Sequence, residues 1–292
     1  MNIDKLLKRY RIAHGKHFNL NDYDPADTHG LEELKPQAED LLADGVKKMS
    51  RLQNVLAAQD LWGLLLIFQA MDAAGKDGTI KHVMSGVNPQ GVQVWSFKSP
   101  TTEELDHDFL WRTTKCLPQR GHIGIFNRSY YEETLIVRVH PQVLENEKIP
   151  KPLVTKSIWQ ERFEDINNFE RYLTRNGIAV VKFFLHVSKK EQKHRFLERL
   201  DTPDKNWKFS ADDVKEREFW DAYQNAYQDV IRHTAKAYAP WYVVPADNKW
   251  FTRLVVSHVV VDALKEMNLK YPKLSSAQKA ELAAARKQLE NE

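Results

Sequence analysis

One stretch constrains the fold more than any other: Leu64-Leu65-Leu66-Ile67-Phe68-Gln69-Ala70-Met71-Asp72-Ala73-Ala74-Gly75-Lys76-Asp77-Gly78-Thr79-Ile80-Lys81. It opens, after Gly63, with a short unbroken apolar run, the pattern of a strand buried on both faces in a parallel sheet. A turn of small residues follows, then Gly75-Lys76, then a segment compatible with helix. Strand, tight turn, Gly-Lys and helix start are the parts of a loop whose backbone N–H groups cradle phosphate. The helix start adds roughly half a positive charge, so a polyanion is the natural occupant.

Against the nucleotide-binding pattern G-x-x-x-x-G-K-[ST] the match is partial. Ala70 stands at the first glycine, and Asp77 stands where Ser or Thr belongs, with Thr79 two places later. Gly75 lets backbone approach an oxyanion closely, and Lys76 supplies a mobile point charge. A carboxylate at Asp72 would repel an anion unless a Mg²⁺ ion, or Mn²⁺ as a substitute, lies between them. The plain alternative is a surface turn with a solvated lysine.

No Pro/Gly/Ser linker, composition shift or repeat divides the 292 residues. One α/β domain is expected over 1–292, with an N-terminal extension (1–30) and a charged, Ala-rich helical tail (275–292). The formal net charge of +3 is too small to imply a nucleic-acid partner. The single cysteine, Cys116, excludes an internal disulfide and reads as a small hydrophobe on a helix. No signal peptide and no apolar run of membrane-spanning length is present, so a soluble cytoplasmic protein with no membrane partner is expected.

Further strands are expected at 91–97, 121–127, 178–187 and 241–245, with helices over 31–59, 76–86, from Thr101 or Thr102 to about Leu117, 155–175, 188–200, 211–238 and 249–267. Five strands separated by helices mean a parallel sheet with right-handed crossovers and a three-layer α/β/α fold. Ligands of such sheets bind beyond the carboxyl ends of the strands. The Gly75-Lys76 loop, Lys98 and Asn127-Arg128 all fall at that rim.

These residues suit phosphoryl transfer, which needs in-line positioning and charge neutralisation. Lys76 and the loop amides hold the transferring group. Asp72 holds Mg²⁺ or accepts a proton. Arg128 reaches a neighbouring phosphate with its two-pronged fork. Asn127 occupies the place of a metal-binding aspartate, one negative charge lighter. The segment 189–208 carries seven cations (Lys189, Lys190, Lys193, Arg195, Arg199, Lys205, Lys208) against four acids. With the irregular stretch at 201–209 it reads as a lid, about 189–212, that closes over phosphates and excludes water.

Met71-Asp72-Ala73-Ala74-Gly75-Lys76-Asp77-Gly78-Thr79, Ile125-Phe126-Asn127-Arg128-Ser129-Tyr130-Tyr131-Glu132, Arg199-Leu200-Asp201 with Trp207-Lys208-Phe209, and Tyr238-Ala239-Pro240-Trp241-Tyr242 together resemble the polyphosphate kinase 2 family, from about residue 10 to 272. The resemblance implies a P-loop kinase core, like that of thymidylate kinases, with a helical lid. It implies Mg²⁺-dependent, reversible phosphoryl transfer from inorganic polyphosphate to AMP and ADP, and assembly as a homo-oligomer, dimer or tetramer. It implies that Asp72 and Lys76 belong to a Walker-A loop, with Asp72 the metal ligand, and that Asn127 and Arg128 take the Walker-B position. Phosphate or nucleotide contacts are expected from Ala73, Ala74, Gly75, Lys76, Asp77, Gly78, Thr79, Lys98, Arg112, Glu132, Glu133, Arg195, Arg199 and Lys208. The Asn-Arg-Ser triplet is most similar to the class III subgroup, associated with phosphorylating both AMP and ADP. An ATP-dependent nucleoside monophosphate kinase and a non-catalytic phosphate or nucleotide sensor are the alternatives.

Overall fold

Eight consecutive residues, Gly63–Ala70, are buried, so this strand needs a neighbour on each edge and cover on each face. The structure, a computed structural model, describes residues 3–208 and 210–292; the side chains of residues 3–6, 205, 207 and 208 lie outside the described set. Its strands are β1 (Arg11–Ile12), β2 (Gly63–Ala70), β3 (Val92–Ser96), β4 (Ile123–Asn127), β5 (Ile178–His186) and β6 (Trp241–Pro245). They form one sheet in the order β1-β6-β5-β2-β4-β3. Every pairing is parallel except that of β1 with β6.

The expectation of five strands is therefore short by one. The missing strand has only two residues, one of them basic, and so has no length in which to show a period of two. It pairs Arg11 with Tyr242 and Ile12 with Trp241. Gly15, just beyond, presses on the chain of a distant helix, where a Cβ would come within 2.2 Å of the Arg232 carbonyl oxygen.

The long helices are α1 (Ile3–Tyr10), α2 (Ala38–Gln59), α3 (Lys76–Val83), α4 (Ile158–Arg175), α5 (Lys189–Asp201), α6 (Trp220–Thr234), α7 (Lys249–Glu266) and α8 (Ser276–Leu289). α2 and α3 pack on α7, while α4 packs on β5 and α6. Two expected helices are interrupted. The one begun by the Thr101–Glu104 capping box ends at Leu105. There the Asp108 carboxylate accepts the Leu110 N–H at 2.9 Å, diverting the backbone before helix resumes over Trp111–Thr114. The 211–238 segment is a short helix (Ala211–Lys215), a 3₁₀ turn (Glu216–Phe219) and then α6, which stops at Thr234, short of the expected end, where Ala235 turns extended. α8 opens with a capping box at Ser275 and has no buried residue.

One cluster of buried side chains runs along the sheet, with the Phe68 and Phe183 rings stacked 4.7 Å apart at its centre. No helix among the described residues is long and apolar enough to cross a membrane. Leu66 lies fully buried between Ile125 of β4 and Val181 of β5. Replacing it with Ala should lower stability by about 2–5 kcal/mol, read as a lower urea midpoint at unchanged slope.

Candidate active site

The chain leaving β2 turns at once, because Met71, Ala73 and Ala74 are small or flexible enough to be buried beside α5. Ala73 adopts φ 58° and Gly75 φ 99°. The second conformation suits glycine; the first costs an alanine on the order of 1–2 kcal/mol and must be held. Arg195 holds it. This arginine is only 4% exposed. Its NH1 group donates to the Ala73 and Ala74 carbonyls (3.1 and 2.9 Å), NH2 to the Ala246 and Asp247 carbonyls (2.6 and 3.0 Å), and Nε to Glu191 (2.8 Å). A guanidinium has five N–H donors, and all five are committed. Arg195 was expected among the phosphate contacts. Although it borders the cavity, its donors are spent on the two loops and on Glu191, so its task here is to tie the loop in place. Gln192 helps, donating to the Asp72 carbonyl at 2.9 Å.

Gly75 caps α3, and Lys76 is its first residue. The Lys76 ammonium donates to the Ala70 carbonyl at 2.9 Å, bridging the mouth of the loop. Burial, and then the neighbouring Arg128 charge, lower its pKa from the usual lysine value.

At the end of β4 the Asn127 amide donates to Asp77 Oδ1 at 2.7 Å. An aspartate at 127 would instead set two carboxylates against each other. Arg128 sits at φ 63°, again left-handed and strained. Its NH2 group meets Asp72 Oδ1 at 2.9 Å, and NH1 reaches Glu132 Oε2 at 3.4 Å. Glu132 and Asp72 raise the Arg128 pKa beyond its usual value, so the guanidinium stays charged. The buried Gln69 amide, oriented to satisfy both its ends, donates to Glu132 Oε1 (2.8 Å) and accepts from Ser129 Oγ (3.1 Å).

A cavity of about 770 Å³ opens on this rim, within the usual size range of ligand sites. Residues 72–79, Lys98, Asn127, Arg128, Arg195 and Arg199 border it. A second cavity, about 60 Å³, lies on the other side of Asp72 and Arg128 and is bordered by Glu132, Arg217, Tyr223 and Tyr227. Asp72, Arg128 and Asp213 thus form the wall common to both.

Two expected contacts lie elsewhere. Arg112 is behind the rim, donating to the Lys98 carbonyl at 2.7 Å and leaning over the Phe97 ring. The Glu133 carboxylate turns into the protein, where Arg162 Nε donates to it at 2.8 Å. The 3₁₀ turn Tyr130–Thr134 sends the two neighbouring carboxylates to different partners, Glu132 to Arg128 and Glu133 to Arg162. The Lys208 side chain falls outside the described residues.

Lys249, Thr252 and Arg253, at the start of α7, also border the large cavity and were not anticipated. They were legible in principle: α7 follows the carboxyl end of β6, the same rim rule that selected Lys98 and Arg128. Lys249 lies 3.7 Å from Glu198, and Arg199 lies 3.7 Å from Asp213. Both ion pairs are long and partly exposed, hence weak and exchangeable.

Comparison with known proteins accords with this geometry. Residues 33–272 match the family model described as Polyphosphate kinase 2 (PPK2). An ADP-polyphosphate phosphotransferase of Rhodopseudomonas palustris is 50% identical over 97% of this chain and 98% of its own length. An AMP/ADP-polyphosphate phosphotransferase of Meiothermus ruber is 44% identical over 93% and 97%. A crystal structure of polyphosphate kinase 2 from Arthrobacter aurescens TC1 superposes with a TM-score of 0.87 at 40% identity, covering 96% of each chain. The chain belongs to the polyphosphate kinase 2 family.

Proposed function

We propose that this protein transfers phosphoryl groups reversibly from inorganic polyphosphate to AMP and ADP, giving ADP and ATP, on a P-loop core of three layers with a lid over about 189–212. The observation that carries the reading is one cavity at the strand rim bordered by Lys76, Lys98, Arg128, Arg199, Lys249 and Arg253. So many cations around the 72–79 loop fit a polymer with a charge on every unit better than a single nucleotide phosphate. The printed names of the relatives from Rhodopseudomonas palustris and Meiothermus ruber support the same substrates.

The step breaks the bond between the terminal phosphorus and its bridging oxygen, and joins that phosphorus to an oxygen of the acceptor's phosphate. Little covalent work falls to the protein; it aligns the two ends and neutralises charge. The loop N–H groups and Lys76 receive the transferring group, Lys76 exchanging the Ala70 carbonyl for a phosphate oxygen. Arg128, between the two cavities, spans donor and acceptor phosphates. Lys98, Lys249 and Arg253 hold units of the chain further from the reacting end. Closure of the lid over Arg199 keeps out water, the competing acceptor.

Asp72 suits Mg²⁺ because its carboxylate is partly exposed on the common wall, with one oxygen on Arg128. Mg²⁺ characteristically takes one or two carboxylates and completes its shell with phosphate and water. When bound, the ion neutralises charge on the phosphates. Asp72, with Asp77 and Asn127 nearby, would hold it. A homo-oligomeric assembly and a cytoplasmic location complete the proposal.

The deciding experiment pairs donors with acceptors in the presence of Mg²⁺. AMP and ADP should be phosphorylated from polyphosphate. Transfer to AMP from ATP alone would instead identify a monophosphate kinase, and binding without turnover a sensor. Lys76→Ala should cost about 3 kcal/mol or more of transition-state stabilisation in the same assay. The double change Lys249→Ala, Arg253→Ala should raise the KM for long polyphosphate while kcat changes little, because it removes binding remote from the reacting phosphorus. A lowered pKa means that Lys76 loses its proton earlier as pH rises. The alkaline limb of kcat/KM, which reports the free enzyme, should therefore begin below the usual lysine value of about 10.4 and disappear in Lys76→Arg.

A further inference from the structure

Lys182 is fully buried in β5 and Glu170 is fully buried in α4. The Lys182 ammonium has three protons and three acceptors: Glu170 Oε2 at 2.5 Å, the Tyr131 hydroxyl at 3.0 Å and the Thr234 carbonyl at 2.9 Å. Glu170 Oε1 accepts the Tyr130 hydroxyl at 3.0 Å and the Tyr131 hydroxyl at 2.7 Å. The Tyr131 ring packs edge-on against Trp241, which donates to Thr234 Oγ1 at 2.9 Å. No donor in this group lacks an acceptor.

Stability alone is a poor reason for such a pair. Burying two charges costs several kcal/mol each before their attraction returns it, and apolar residues of similar volume often do as well or better. What the pair does grip is specific. Both tyrosines belong to the turn that begins with Arg128, the residue strained at φ 63°. A strained backbone persists only where its surroundings over-determine it. Here the far side of the turn is bolted to Glu170 and Lys182, and its near side is held by Ser129 Oγ, which meets Gln69 and accepts the Tyr131 N–H at 3.1 Å.

We infer that Glu170 and Lys182, acting through the Tyr130 and Tyr131 hydroxyls, are positioning residues for phosphoryl transfer: they keep Arg128 in its left-handed conformation with its fork set between Asp72 and Glu132. This rests on the reading of Arg128 as the group that spans donor and acceptor phosphates. Displacing such a fork by an ångström is enough to cost orders of magnitude in rate.

Glu170→Ala or Lys182→Ala would leave a buried charge alone and can fail to fold. The test therefore deletes only hydroxyls, with Tyr130→Phe, Tyr131→Phe together, assayed with polyphosphate, AMP and Mg²⁺. The expected result is a fall in kcat of about tenfold or more with the KM for polyphosphate within about twofold of the parent, in a sample still folded at the assay temperature. In an Arg128→Lys background the same two changes should cost far less, because the group they position has already been altered. A kcat within about twofold of the parent overturns the inference, as does an equal loss in both backgrounds, which would mark the hydroxyls as general structural supports. Failure of the Arg128 reading itself is separate: it would show as an Arg128→Lys enzyme with undiminished turnover.

Discussion

The candidate site depends on how one buried guanidinium is satisfied. Arg195 directs its donors at five oxygens, four of them carbonyls from two separate loops, and so ties the chain after β2 to the chain after β6. Holding the Ala73 and Ala74 carbonyls on Arg195 takes those acceptors out of competition for an anion at the loop. A lysine could not take this role: three donors on a flexible stem cannot reproduce a planar fork reaching two loops at once. Helix α5 thereby contributes a fixed strut, with Arg195 buried and Arg199, one turn further on, bordering the open cavity.

Much of this was legible in the chain. The β2 run, the glycine before Lys76 and the apolar runs of β4, β5 and β6 each carry their own local signal, and the structure places them within a residue or two of where patterning puts them. The loop residues and Arg128 followed from the rim rule. What escaped notice has physical reasons. β1 is too short to show periodicity. The breaks at Asp108 and at Glu216–Phe219 are local hydrogen-bonding and turn choices that compete with helix at small cost. A basic residue in a lid-like segment reads the same whether it faces substrate or carbonyls, so the task of Arg195 could be learned only from its partners. Glu132 and Glu133 are adjacent and chemically identical, and only the turn separates their fates. Lys249 and Arg253 stand at the start of a helix whose dominant sequence signal is its many apolar residues.

Two lysines show how context decides what a charge is for. Lys182, inside an apolar strand, has all its protons bound to protein and cannot meet a ligand. Lys76, half-buried at the loop mouth, has one described partner, a backbone carbonyl. Burial lowers the pKa of both ammonium groups. The interior one carries a dedicated carboxylate at 2.5 Å, whereas the loop lysine shares two of its carboxylate neighbours, Asp72 and Glu132, with Arg128. A lysine in the middle of the 178–187 run was itself a visible sign that something opposite must answer it.

The contact between Lys76 and the Ala70 oxygen has a thermodynamic consequence. The cleft itself supplies Lys76 with an oxygen acceptor, so on the proposed reading an arriving phosphate swaps one acceptor for another instead of rescuing a bare charge. Such an exchange yields little net free energy in the resting complex. A catalyst that must release a product nearly as anionic as its substrate gains from that: grip is reserved for the fleeting arrangement in which charge spreads over the moving phosphorus, and neither end of the reversible reaction becomes a trap.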